Sequence, residues 1–164
     1  MVGVAMSIKY YDIVPKNEGT AEADDFRRAL VKAGFEPADK AGFRWRSSSG
    51  GEKLDVYLMA FREPCLFYSN TRTLKVTCPF CRAPISLADW HRAVSDWRAG
   101  GGAFITPCCG KKAGVRQLIY DPPVYFARTA LSVCTRGDCD PPSGLLARIS
   151  RAVGRPLGFV ERLC

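Results

Sequence analysis

The sequence predicts an α+β fold: a mixed sheet covered by two helices, ferredoxin-like in character, with a small module inserted between its halves. Three observations carry this. Without residues 72–121 the chain reads strand–helix–strand–strand and then strand–helix–strand. Each of the two helices in that pattern has one apolar side, so both can cover one face of one sheet. The remaining stretch differs in kind, because it holds four of the eight cysteines in two tight turns. The predicted organisation is a first half over 1–71, an insertion over 72–121 and a second half over 122–164.

Alternation from Ser7 to Val14 predicts a strand, closed by Pro15 and a polar loop to Thr20. Ala21 to Ala33 reads as a helix with Phe26, Leu30 and Val31 inward. Acidic residues crowd its first turns and Gly34 ends it, as the helix dipole and a left-handed cap prefer. Phe43 to Arg46 and Leu54 to Phe61 read as a hairpin around Ser47-Ser48-Ser49-Gly50-Gly51, and Cys65 to Ser69 as a further short strand. Leu74 to Thr77 leads into the first cysteine turn. Ser86 and Asp89 form the capping signature of a helix to Arg98, whose Leu87, Trp90, Val94 and Trp97 recur at helical spacing. Ala103 to Thr106 leads into the second turn and Val115 to Tyr120 out of it. Val124 to Val133 is expected to be the longest strand. Ser143 is expected to cap a helix with Leu145, Leu146, Ile149 and Val153 inward, and Leu157 to Leu163 is a closing strand.

Of 164 residues, 47% are apolar, enough for an ordinary core and too many for a disordered tail. No run is long and apolar enough to cross a membrane, and Met1 to Tyr10 lacks the pattern of a signal peptide. Met6 is a second candidate start. A cytoplasmic protein is expected, with cysteines as thiols or metal ligands rather than disulfides. The net charge of +8 is uneven. Residues 1–71 hold ten Lys/Arg against ten Asp/Glu, 72–121 hold eight against three, and 122–164 hold six against three. A basic surface of this kind suits an acidic protein partner or nucleic acid.

Cys78-Pro79-Phe80-Cys81 and Pro107-Cys108-Cys109-Gly110-Lys111 are the two turns. Paired cysteine turns a few tens of residues apart are how a short chain builds a four-thiolate zinc site, which makes the insertion zinc-ribbon-like. The proline in the first turn helps aim both sulfurs inward. In the second, Thr106 stands where a Cys-x-x-Cys pair would place its first sulfur. Cys78, Cys81 and Cys109 are therefore expected ligands, and the fourth is Cys108 or His91, the single histidine. Zinc suits the set better than iron, because no other iron–sulfur spacing is present. Cys-Pro-Phe-Cys also resembles the active-site turn of glutaredoxins, where a helix N-terminus activates the first thiol. Pro84 would fall inside the helix that role requires.

From Thr77 to Tyr125 the order is Cys-Pro-x-Cys, a tryptophan-bearing helix, Pro-Cys-Cys-Gly and Tyr-Asp-Pro-Pro before an aromatic strand. This resembles small bacterial zinc-ribbon-like proteins of no established activity. The resemblance implies zinc-ribbon character and a bacterial setting near mobile elements or toxins.

Other motifs carry less. Cys134-Thr-Arg-Gly-Asp-Cys139 is an Arg-Gly-Asp loop by chance in an unsecreted chain, and Gly110-Lys111-Lys112 lacks the residues of a phosphate loop. There is no Ser-His-Asp set or paired-carboxylate motif, so no catalytic residue is expected. The leading expectation is a non-enzymatic binding protein of the immunity-protein or adaptor type, held by structural zinc. Its partner would be an acidic protein surface meeting Lys111, Lys112, Arg116, Arg148, Arg151 and Arg155. The alternatives are a nucleic-acid-binding ribbon, with Phe80, Trp90 or Trp97 stacking on bases if exposed, and a thiol oxidoreductase working through Cys78.

Overall fold

The computed structural model describes residues 8–17, 19, 21–47, 54–69, 71–136 and 144–163. The chain forms two compact units: 1–69 with 125–164, and 70–124. The fold is α+β.

The first unit holds β1 (Ile8–Pro15), α1 (Ala23–Lys32), β2 (Phe35–Pro37), β3 (Arg44–Ser47) and β4 (Asp55–Phe67). In the second unit lie β5 (Lys75–Thr77), β6 (Pro84–Ile85), α2 (Leu87–Arg98), β7 (Phe104–Ile105), β8 (Lys112–Ala113), a 3-10 turn (Val115–Gln117) and β9 (Ile119–Asp121). The first unit then completes with β10 (Tyr125–Arg136), α3 (Leu145–Val153) and β11 (Leu157–Leu163).

Six strands form one sheet in the order β11-β1-β10-β4-β3-β2. A mixed sheet was expected, but every pairing among these strands is antiparallel. The reason is topological. β1 and β4 run the same way, as do β10 and β11, yet the two pairs interleave, so no strand sits beside its parallel mate. Register then sorts the side chains by the two-residue period. Tyr11 lies opposite Val133, which faces Val56, and Ile13 lies opposite Leu131, which faces Leu58. These six residues and Trp45 share one core with Phe26 and Leu30 of α1 and Leu145 and Ile149 of α3. Both helices therefore cover one face.

The helices differ in detail from the expected stripes. In α1 the buried residues are Phe26, Ala29 and Leu30, while Val31 is 61% exposed, since it lies a further 100° round the helix from Leu30. Gly144, in the left-handed region, precedes α3 as its cap. Ser143 and residues 48–51 of the expected hairpin turn lie outside the described residues, as do Met1, Met6, Thr20, Cys139 and Cys164.

Two strands expected at 54–61 and 65–69 are parts of a single β4, which at 13 residues exceeds the 12 of β10. The register jumps from Ala60↔Thr129 to Cys65↔Ala127, so Phe61, Arg62, Glu63 and Pro64 stand opposite Arg128 alone. Pro64 has no N–H for a ladder and is accommodated because it falls in this bulge.

In the second unit, β6-β5-β9 form a three-stranded sheet and β7-β8 a two-stranded ribbon. Ser86 caps α2, its Oγ accepting from the Asp89 N–H at 3.1 Å. Trp90, Ala93 and Val94 are buried, and Leu74, Val76, Ile85, Ala113, Val115 and Leu118 are buried in the same unit. Trp90 Nε1 donates to the Tyr120 hydroxyl, which donates to the Val115 carbonyl at 2.6 Å. Burial pushes the Tyr120 hydroxyl up to about 12, against the Trp90 hydrogen bond. It stays neutral, as a donor must. No described helix is long and apolar enough to cross a membrane.

Candidate metal centre

Each cysteine turn is closed by its own backbone. In the first, the Cys78 N–H donates to the Ala83 carbonyl at 2.9 Å, and the Arg82 N–H to the Cys78 carbonyl at 3.1 Å. In the second, the Thr106 N–H donates to the Lys111 carbonyl and the Gly110 N–H to the Thr106 carbonyl, both at 2.9 Å. The residue after the last cysteine is left-handed in each turn, Arg82 at φ 62° and Gly110 at φ 69°. Arg82 is the single non-glycine with positive φ among the described residues, and the bonds on either side of it hold that conformation.

Superposing the two patterns by these bonds pairs Cys78 with Thr106, Pro79 with Pro107, Phe80 with Cys108, and Cys81 with Cys109. Both Cys78 and Thr106 are fully buried. The second turn thus keeps the backbone of a Cys-x-x-Cys knuckle but carries its extra sulfur at the third position.

The four sulfurs of Cys78, Cys81, Cys108 and Cys109 all lie within 4.8 Å of one another, a group that could hold a metal ion. His91 is not in the group. It is exposed on α2, with its ring centroid 4.8 Å from that of Trp90. Among the expected fourth ligands, the structure brings Cys108 to the cluster. Cys78 and Cys109 are 3.8 Å apart and Cys81 and Cys108 3.3 Å apart. A tetrahedral site with sulfur ~2.3 Å from zinc has sulfur–sulfur edges of ~3.8 Å, so the set fits such an ion after small side-chain adjustments.

The electrostatics fit as well. Burial pushes the Cys78 thiol up, but the backbone N–H groups of Cys81 and Phe80 and the thiols of Cys108 and Cys81 outweigh it, holding Cys78 at about 6. Cys109 is held below its usual range by the Thr106 hydroxyl and the backbone at Lys111. Cys108 is pushed up to about 12 by its hydrogen bond to Cys81, by burial and by Cys78. Protons are thus shared unequally among crowded sulfurs, because four thiolates this close repel one another. A divalent cation among them would remove that penalty. Thr106 buttresses the set: its hydroxyl lies 3.2 Å from Cys109 Sγ and 3.0 Å from the Lys111 carbonyl.

The helix N-terminus that a glutaredoxin-like turn needs does not follow Cys81. Strand β6 does, containing Pro84, and α2 begins only at Leu87. Cys78 is also fully buried, whereas an attacking thiol needs access.

The six predicted partner-binding residues are all exposed. Lys111, Lys112 and Arg116 belong to the second unit, and Arg148, Arg151 and Arg155 to the first. Lys111 lies over the Phe80 ring, 5.3 Å from its centroid, and Arg116 over Trp97 at 5.6 Å. Of the aromatics considered for stacking, Trp90 is fully buried and Phe80 is 44% exposed. The role of Cys108, rather than its identity as a ligand, had one sequence signal: the offset between Thr106 and the first cysteine of a regular knuckle.

Comparison with protein-family models, with curated proteins and with solved structures finds no match for the chain, so its function is argued from the chemistry of its own residues.

Proposed function

We propose that the chain is a non-enzymatic cytoplasmic binding protein, of immunity-protein or adaptor type, whose second unit is a zinc-ribbon-like module stabilised by structural zinc. The observation that carries this is the closed set of four sulfurs. With Cys78, Cys81, Cys108 and Cys109 all supplied by the protein, a tetrahedral ion has no open position for substrate or water. Such a site contributes folding free energy and no chemistry. The ferredoxin-like reading of the first unit draws support from the order β11-β1-β10-β4, in which the second helix-linked pair interleaves with the first.

The partner is an acidic protein surface met by the exposed cations. Lys111 and Lys112 follow the second cysteine turn directly, so the metal would fix their backbone. Elemental analysis of tag-free protein, with alkylation of accessible cysteines, tests the metal. The expected result is about one zinc ion per chain, with the four cysteines protected. Metal-free protein with the four cysteines freely alkylated would defeat the proposal. Charge reversal of Lys111, Lys112, Arg116, Arg148, Arg151 and Arg155 tests the surface against partners captured by the wild-type chain. Unchanged capture would remove it.

One observation favours nucleic acid as the second reading. Phe80 is exposed at the tip of a cysteine turn with Lys111 over its ring, a pairing of base-stacking surface and phosphate-binding charge. Binding to a mixed oligonucleotide that falls steeply with salt would select this reading, and no binding at low salt would end it.

A further inference from the structure

The four sulfurs of the candidate metal centre are not equally accessible. Cys78 is fully buried and Cys109 half-buried, whereas Cys81 and Cys108 are both exposed. The exposed pair is also the closer one: its sulfurs lie 3.3 Å apart, against 3.8 Å for Cys78 and Cys109. Its members come from different turns, 27 residues apart in the chain.

The irregular second turn creates this pair. At the first position of each turn the side chain is hidden, since Cys78 and Thr106 are both 0% exposed. At the third position it stands at the tip, where Phe80 is 44% exposed and Cys108 is exposed as well. A ligand at 108 in place of 106 therefore takes one sulfur out of the interior and sets it against Cys81. Cys109 is shielded on one side by the Thr106 hydroxyl, 3.2 Å from its Sγ.

Two exposed sulfurs in near contact, held as thiolates by a metal, are the arrangement that a peroxide oxidises to a disulfide. The first sulfur oxidised has its resolving partner beside it. We propose that Cys81 and Cys108 form a reversible oxidation site whose reagent is hydrogen peroxide, and that their disulfide releases the metal. The inference rests on the structural-zinc reading of the centre. One thiolate attacks the O–O bond and becomes a sulfenic acid, while hydroxide leaves. The other thiolate attacks that sulfur, the S–S bond forms and a second hydroxide leaves. Both sulfurs are oxidised, the peroxide is reduced, and the two hydroxides take up protons as water. Cys78 and Cys109 remain as ligands, too few for a closed tetrahedral site. The disulfide joins the same two turns that the metal joined, so a dithiol and fresh zinc restore the starting state.

The test begins with the zinc content of the full-length protein, which is then treated with a roughly tenfold molar excess of hydrogen peroxide. A metallochromic dye reads zinc release, and peptide mapping by mass spectrometry reads the crosslinks. The expected result is loss of the bound zinc, with Cys81–Cys108 as the first crosslink to form. A dithiol with added zinc should then recover both thiols and metal. Thr106→Cys with Cys108→Ala, loaded with zinc, should release it at least about tenfold more slowly, because its fourth sulfur lies at the buried position. Protein that holds zinc and keeps it under peroxide overturns this inference alone, and protein that never holds zinc defeats the metal reading with it. Equal release from the wild type and the zinc-loaded double variant also overturns it. So does a first crosslink between any other two cysteines, which is read on the wild-type chain whether or not the double variant folds.

Discussion

Thr106 occupies in the second cysteine turn the place that Cys78 occupies in the first. Each donates its N–H to the residue five positions on, each accepts from the residue four positions on, and both are fully buried. The hydroxyl of Thr106 lies 3.2 Å from Cys109 Sγ, so it faces the sulfurs as a ligand would. Cys108 supplies the sulfur that Thr106 lacks. The two cysteine turns are one backbone motif with two ways of presenting a second ligand.

That equivalence makes the ligand set transferable. Cys108→Ala should leave three sulfurs and drop zinc well below one ion per chain, whereas Thr106→Cys with Cys108→Ala should restore about one. Elemental analysis with thiol counting reads both. Failure of the double variant to recover metal, in protein that remains folded, would show that Thr106 does not stand at a ligand position.

The metal should hold the second unit and not the first. Structural zinc contributes on the order of 10 kcal/mol in small domains of this kind, more than 55 residues of modest core would otherwise supply. Chelation should therefore expose the amides of β5, β6 and β9 to rapid hydrogen exchange while those of β1 and β10 stay protected. Cys78→Ser should do the same without chelator. If exchange in the second unit is unchanged after metal removal, the cluster is not what holds it.

Much of this was legible in the sequence, for identifiable reasons. Both cysteine turns announce themselves because ligand spacing is short and rigid, and α2 because Trp90 and Val94 recur at helical spacing. Three things were not legible. β2 (Phe35–Pro37) is too short to show a period. Pro64 reads as a strand breaker, and only the bulge opposite Arg128 reveals why β4 continues through it. Adjacent cysteines do not disclose that both sulfurs can face one point, and only the folded turn brings Cys108 and Cys109 together with Cys78 and Cys81.

Asp55 ties β3 to β4 through Arg46 and Arg44. The Arg46 hydrogen bond, opposed by burial and joined by Arg44, holds its carboxyl below the usual range. A depressed carboxylate adds stability at pH values above its unfolded pKa, and that stability is lost as pH falls through the lower folded value. Both arginines are about two-fifths exposed, at 39% and 42%, so solvent screening limits the effect to about 1 kcal/mol. Asp55→Asn should lower the unfolding free energy from urea titration at pH 7 by that amount, and the gap to wild type should shrink as pH falls through the acid range. A gap that persists unchanged in acid would mean that packing, not charge, is lost.

Gly158 lies beneath the ring of Tyr125. A Cβ built at position 158 would stand 2.3 Å from Cζ of that ring, closer than any real contact, so Gly158→Ala must displace it. The ring packs against the cluster of Val14, Ala130 and Val160. Overpacking of this kind costs about 1–3 kcal/mol. The cost should nearly vanish in a Tyr125→Ala background, where nothing remains to be displaced. Thermal or urea unfolding of the two single variants and the double variant gives the coupling directly. An equal cost of Gly158→Ala in both backgrounds would place the constraint in the β11 backbone instead of the ring.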